Sequence, residues 1–192
     1  MAELTGTNNE VKIYRHLASQ SGTQPGSEHV LALLDHFGVQ GPNGEHEVLV
    51  LQVVGPHLEA MFREEPTVIQ RSMKPLVHQV TLGTSFLHCC GVIHAGQSID
   101  FPIGCTSLRY GLDLHQGNIA LEILGLDGKS EENAMTTLGV PTCVPVFARD
   151  QQNHTDSLPK YLVIPGSLAD CVEQDDMHVK IVDLGEGSFR YF

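Results

Sequence analysis

Residues 29–54, HVLALLDHFGVQGPNGEHEVLVLQVV, constrain the fold more than any other stretch. Two apolar runs, HVLALLDHFGVQ (29–40) and EVLVLQVV (47–54), flank GPNGEH, whose Pro-Asn-Gly signals a turn. The stretch predicts an antiparallel hairpin with Val and Leu facing a core. Helical patterns lie on both sides of it. NEVKIYRHLAS (9–19) carries Val11, Tyr14, Leu17 and Ala18 at helical spacing behind an Asn-rich start suited to capping. After Gly55-Pro56, HLEAMF reads as helix, breaks near Pro66, and resumes over TVIQRSMKPLVHQVTLGTSFLH. Ile69, Met73, Leu76, Val80 and Leu87 form a stripe expected in the core, and Pro75 either kinks that helix or opens a separate one.

The texture then changes. GVIHAGQSIDFPIGCTSLRYGL (91–112) has no sustained period and reads as loop, NIALEILGL (118–126) resembles a strand, and 127–160 is polar with VPTCVPVF inside it. VKIVDLGEG (179–187) reads as a buried strand running into a Gly-rich turn. No internal repeat or low-complexity tract is present.

Two short motifs carry chemistry. In GLDLHQGNIAL (111–121) an aspartate and an asparagine stand five residues apart ahead of a strand. That spacing suits phosphoryl transfer, with Asp113 receiving or orienting an acceptor hydroxyl and Asn118 reaching back to a magnesium ion. Taken singly, the pattern also fits an Asx-rich turn. VKIVDLGEG adds support, because Asp183 at the end of a buried strand can project its carboxylate at the same ion while the glycine turns the backbone at once.

Composition narrows the partners. A formal net charge of −12, from 11 Lys+Arg against 23 Asp+Glu, works against direct binding to nucleic acid or an anionic membrane surface. The 41% hydrophobic content can supply a core. Cys89, Cys90, Cys105, Cys143 and Cys171 make an odd count without C-x-x-C or zinc spacing, and are expected to be reduced, buried thiols in a cytoplasmic or nuclear protein. MAELTGTNNE lacks the features of a signal peptide and no apolar run approaches the ~20 residues that span a membrane, so a soluble chain is expected.

Read end to end, the chain resembles the eukaryotic protein kinases, most of all the SR-protein kinases and their fungal relatives. EVKIYRHL looks like the small-lobe helix; residues 29–58, with Leu-Leu-Asp-x-Phe, the Asn-Gly turn and Gly-x-His-Leu, are similar to the fourth and fifth strands and hinge. PLVHQVTLGTSFLH resembles the long helix before the catalytic loop, DLHQGN that loop, and VKIVDLGEG the magnesium-binding Asp-Leu-Gly. The resemblance implies an α+β, bilobal kinase fold truncated at both ends: residues 1–55 as partial small lobe and hinge, 56–192 as partial large lobe with an insert at 95–112 and a spacer at about 127–178. It implies ATP and Mg2+ as cofactors and serine phosphorylation on a protein, Arg/Ser-rich in this family. Asp113 becomes the catalytic aspartate, Asn118 and Asp183 the metal ligands, and Glu10 the ion-pair partner of an ATP-binding lysine. Leu51 becomes the gatekeeper, with backbone groups of Gln52 and Val54 at the adenine edge.

Departures from the family pattern modify the expectation. Only nine residues precede Glu10 and nine follow Asp183, so the Gly-rich loop, the lysine strand and the Ala-Pro-Glu segment are not in this sequence, and little or no phosphoryl transfer is expected from it alone. His94 stands nineteen residues before Asp113 where the family has two, so 95–112 occupy the place of one residue. The excess of 17 residues, or 51 nucleotides, suggests a short in-frame intron translated through. His115 replaces the usual lysine, as in aminoglycoside- and choline-type phosphotransferases, which keeps a small-molecule kinase as an alternative. A noncatalytic kinase-derived binding module is the third reading. His94 is expected to brace the loop through its ring, and no metal site is expected at His88 or His94.

Overall fold

The structure is a computed structural model that describes residues 9–22, 24–42, 44–94, 114–126, 128–147, 158–164, 166 and 168–189. Asp113, Cys105 and the insert at 95–112 lie outside them. Helix α1 (Asn9–Gln20) buries Val11, Ile13, Tyr14 and Leu17. The predicted hairpin forms as β1 (Leu33–Gly41) and β2 (Gly44–Leu51), paired from Leu33↔Leu51 to Gly41↔Gly44. Its first residues do not extend the strand. Ser27–His29 make a turn of 3-10 helix, and Val30 bridges Ile181 in parallel instead.

After the short strand β3 (Val54–His57), helices α2 (Leu58–Glu64) and α3 (Pro66–Cys89) follow, divided at Glu65 with φ −131° and ψ 58°. Pro66 opens α3, where its missing N–H costs nothing, and the helix continues through Pro75. Ile69, Leu76 and Leu87 of the predicted stripe are buried, and Met73 and Val80 pack from the margin against the cluster that holds Ile69 and Leu76.

Strand β4 (Val92–Ile93) falls in the stretch read as loop; β5 (Ile119–Glu122) is the predicted strand after Asn118. The expected polar spacer contains helix α4 (Glu131–Leu138), capped by the Ser130 hydroxyl, and a two-stranded ribbon of β6 (Thr142–Pro145) and β7 (Tyr161–Ile164) whose residues are all exposed. Strand β8 (Val179–Ile181) is buried, and β9 (Ser188–Phe189) returns antiparallel to β4. The sheet that organises the molecule runs β3-β5-β8.

One core cluster joins α1, Val30 and Leu31, the end of α3, and Ile181, Val182 and Leu184. The second joins α2 and the first half of α3 to Ile119, Leu121 and Val179. Leu114 packs against both. The loop before β1 presses on α3 so closely that a β-carbon on Gly26, which has φ +94°, would stand 2.3 Å from the Leu82 carbonyl oxygen.

Two expectations need correction. Val and Leu of the hairpin do not all face a core: Leu49 and Leu51 pack on it, while Leu34 is 65% and Phe37 45% exposed. The cysteines described are free thiols as expected, but Cys89 and Cys143 are exposed rather than buried. No described helix is long and apolar enough to cross a membrane.

Candidate functional site

The site grows from the end of β8. Antiparallel pairing of Ile119 with Ile181 aligns β5 and β8, and the Val182 N–H donates to the Asn118 carbonyl at 3.0 Å. On its other side the Val182 carbonyl accepts from Nε2 of His94 at 2.9 Å. Val182, the residue before Asp183, is thus held between His94, which follows β4, and Asn118, which precedes β5. His94 is 3% exposed, so this bond is worth more than one in water, and it places the ring's bracing contact on the segment before Asp183. Its Nδ1 is buried with no hydrogen-bond partner among the described residues.

Asn118 is buried in a 3-10 turn that His115 caps, the ring Nδ1 accepting the Gly117 N–H at 2.9 Å. This engagement uses the imidazole locally. A β-carbon on Gly117 would meet that ring at 2.7 Å and Glu59 Oε2 at 3.3 Å, so the glycine lets the loop lie against α2.

Asp183 follows with φ 60°, a left-handed conformation found at no other described non-glycine residue. Aspartate tolerates it better than most residues, yet it stores strain of a kind that collects at functional sites. The chain then turns, with Gly187 N–H donating to Leu184 O at 2.9 Å. The N-terminus of α1 is tied to that turn: Asn9 Nδ2 donates to Gly187 O at 2.7 Å. As a result Glu10 and Asp183 meet over Gly185, where a β-carbon would lie 3.8 Å from Glu10 Oε2 and 3.6 Å from Asp183 Oδ1. Partial burial, and then the Asp183 charge, push the Glu10 carboxyl above the usual range. One turn along α1, burial followed by the charges of Glu10 and Asp183 pushes the Tyr14 hydroxyl up as well.

The residues expected to form the hinge lie around the start of β3. Leu51 and Val54 pack against the first core cluster, and Val54 pairs with Glu122. Gln52 donates its N–H to Ala32 O at 3.0 Å, so what its peptide offers an adenine edge is the carbonyl. Beneath it runs a network that the sequence reading missed. Gln52 Nε2 donates to Glu122 Oε1 at 2.8 Å, and Lys180 Nζ lies 3.3 Å from the same oxygen while donating to Glu28 O at 2.6 Å. The signal was a lysine in the otherwise apolar V-K-I-V, since a lysine in a buried strand needs a partner.

The structure therefore places Glu10 and Asp183 on either side of Gly185, ties the backbone of Asn118 to Val182 next to Asp183, and bonds His94 to the Val182 carbonyl. It pairs Val54 with Glu122 of β5, bonds the Gln52 side chain to the same glutamate, and leaves Leu51 at the end of β2. The donors Asn118 and Asp183 are hard oxygens suited to magnesium, and Asp183 is exposed and accessible to it.

Comparison with known proteins gives this arrangement a relationship. The chain is similar to the serine/threonine-protein kinase SKY1 of Saccharomyces cerevisiae, 35% identical over 91 residues that cover 44% of this chain and 12% of that protein. It is 31% identical to protein kinase dsk1 of Schizosaccharomyces pombe over 91 residues, covering 44% of this chain and 16% of that protein. Its homologues are SR-protein kinases and their fungal relatives. SRSF protein kinase 3 of Homo sapiens matches at 29% identity over 107 residues, 53% of this chain and 18% of that kinase. The chain spans less than a fifth of the length of these three relatives. No protein-family model matches it. A mixture of helices and small sheets, with homology over about half the chain, is consistent with a partial protein kinase domain.

Proposed function

We propose that this chain is the middle of a bilobal serine/threonine protein kinase domain of the SR-kinase kind, with the hinge near residue 55 joining its two lobes. ATP is read by Leu51 and by backbone groups of Gln52 and Val54. Asn118 and Asp183 hold Mg2+, Asp113 orients the serine hydroxyl, and Glu10 serves as the partner of an ATP-binding lysine. Magnesium, when bound, neutralises charge on the phosphates. The chain's own residues hold the geometry: His94 and Asn118 fix the Val182 peptide, and Lys180 and Glu122 fix the hinge side chain of Gln52. The observation that carries this reading is the bond from Val182 to Asn118, which sets the backbone of the asparagine beside the residue that precedes Asp183.

Arg/Ser-rich protein segments are the proposed substrate class, suited to a chain of net charge −12, and the cytoplasm or nucleus the proposed location. The insert at 95–112 is proposed to be a translated intron, which sequencing of the transcript across codons 94–113 tests. The small-molecule alternative loses ground because the relatives named above are all protein kinases and His115 is engaged in its own turn.

The decisive experiment measures ADP binding to the purified chain with and without Mg2+. Magnesium-dependent binding that Asp183→Asn weakens at least tenfold is expected. ADP affinity indifferent to both magnesium and Asp183 would remove the basis of the proposal and favour the noncatalytic module.

A further inference from the structure

Strand β8, which leads into Asp183, is three residues long and pairs with β5 along one edge. Its other edge carries backbone groups of Met177, Val179 and Ile181, all buried, so those groups need partners other than water. One side chain of α3 does the work of a further strand there. Gln79 Nε2 donates to Met177 O at 3.0 Å, and Gln79 Oε1 accepts the Val179 N–H at 2.9 Å. A glutamine amide carries the donor and the acceptor of a peptide group, so it supplies both bonds at once. Farther along the same edge the Leu31 N–H donates to Ile181 O at 3.0 Å. A second observation shows how closely α3 lies on this edge. At Gly83, one helical turn beyond Gln79, a β-carbon would stand 2.9 Å from Ile181 Cδ1 and 3.1 Å from His29 Cβ. The glycine lets the helix approach, and the approach brings Gln79 within reach of the strand's backbone.

We infer that Gln79 is a positioning residue for Asp183: by completing the outer edge of β8 it locks the register of that strand, and so the place at which the chain leaves it. Register matters here because a slip of one residue turns every side chain to the opposite face. Such a slip would take Lys180 away from Glu122 Oε1, 3.3 Å distant, and set Val182 or Leu184 where Asp183 now stands. The three pairs to β5 form a ladder at the short end for a strand, and the two bonds from Gln79 add an anchor from a long helix. Gln79 acts through the strand and not on the ion. The inference rests on Asp183 being a metal ligand, as in the proposed function, and adds the residue that holds it in place.

Amide hydrogen exchange and ADP titration of the purified chain test it together. In the unaltered chain the Val179 amide, held by Gln79, should be protected like the Val182 amide, held by Asn118. Fast exchange at Val179 beside slow exchange at Val182 would overturn the inference before any variant is made. Gln79→Met keeps the length of the side chain and removes both bonds. It should speed exchange at Val179 about tenfold relative to Leu17 in α1, and weaken magnesium-dependent ADP binding about tenfold while leaving ADP affinity without magnesium unchanged. Gln79→Asn stays polar but is one methylene shorter, and should lose the same magnesium dependence; it decides the matter if Gln79→Met does not fold. Ile69→Val truncates a buried residue nearly three turns earlier in α3, so it lowers stability without removing a bond to β8 and should change neither readout. If Asp183→Asn weakens magnesium-dependent binding but both Gln79 variants bind like the unaltered chain, this inference fails while the proposed function survives. If Asp183→Asn has no effect either, both fail.

Discussion

Lys180 Nζ lies 3.3 Å from Glu122 Oε1, with the lysine side chain 8% and the glutamate side chain 19% exposed. A lysine this buried is tolerable only while its donors are used, and Glu28 O and Glu122 use two of them. Lys180→Met removes the positive partner of the Glu122 carboxylate and should cost about 3 kcal/mol, the low end for breaking a buried pair because Glu122 keeps the Gln52 amide and some water. Lys180→Met with Glu122→Met should recover more than about 1 kcal/mol of the summed losses. Urea unfolding of the four proteins measures both, and strictly additive losses would show that the pair is not coupled.

The loop before β1 reaches this network only because Gly26 lets it lie on α3. Gly26→Ala combines a left-handed φ of +94° with a β-carbon 2.3 Å from Leu82 O, a backbone atom that cannot rotate away. Gly22→Ala shares the left-handed conformation, at φ +88°, but meets nothing within 4 Å. The Gly22 change should cost about 1 kcal/mol for conformation alone. The Gly26 change should cost about 3 kcal/mol once overpacking is included. Equal losses would mean that the close approach contributes nothing.

His29 gives the fold a pH dependence. Burial holds its pKa below the ordinary 6.5, aided by Lys180 and His178 and opposed by Glu28 and by a hydrogen bond at the Val179 backbone, with burial the largest effect. A histidine that binds its proton less readily when folded adds stability above pH 6.5, and that stability is lost as the pH falls below 6.5 towards the folded value. His29→Asn should therefore flatten the stability profile where the pH falls below 6.5. The window is separate from that of Glu28, whose carboxyl is lowered from 4.5 chiefly by its own backbone. An unchanged slope in the variant would assign the dependence to other groups.

The parts of this architecture legible in the sequence are those that local chemistry decides. The Pro-Asn-Gly turn and the β-branched runs specify β1 and β2, and the 3.6-residue stripe specifies α3 across Pro75. The placement of Asn118 just before one strand and of Asp183 just after another was legible because each stands in a short motif beside an apolar run. Burial was harder, since which face of a hairpin is covered depends on distant segments; Leu49 found the core and Phe37 did not. The Gln52–Glu122–Lys180 network spans 128 residues of sequence and no local pattern encodes such a meeting. Helix α4 was hidden in a polar stretch whose local signals are confined to its ends, the Ser130 cap with Glu131 and Glu132 at the start and Gly139 at the close.

The uncovered side of the hairpin makes the last prediction. The pairing sets Phe37 opposite Val48 and Asp35 opposite Val50, so Phe37, Val39, Val48 and Val50 share one face by the two-residue period of a strand. Phe37 is 45%, Val39 44% and Val50 37% exposed, which makes the face a contiguous apolar surface and not a scatter of single residues. Such a surface drives self-association while adding little to the stability of one chain. Phe37→Ser should change the unfolding free energy by no more than about 0.5 kcal/mol, as expected for a position outside the core. The same change should lower the weight-average sedimentation coefficient at high protein concentration. A chain that sediments as a monomer at every concentration, with Phe37→Ser costing well over 1 kcal/mol, would mean that this face is packed within the molecule in solution.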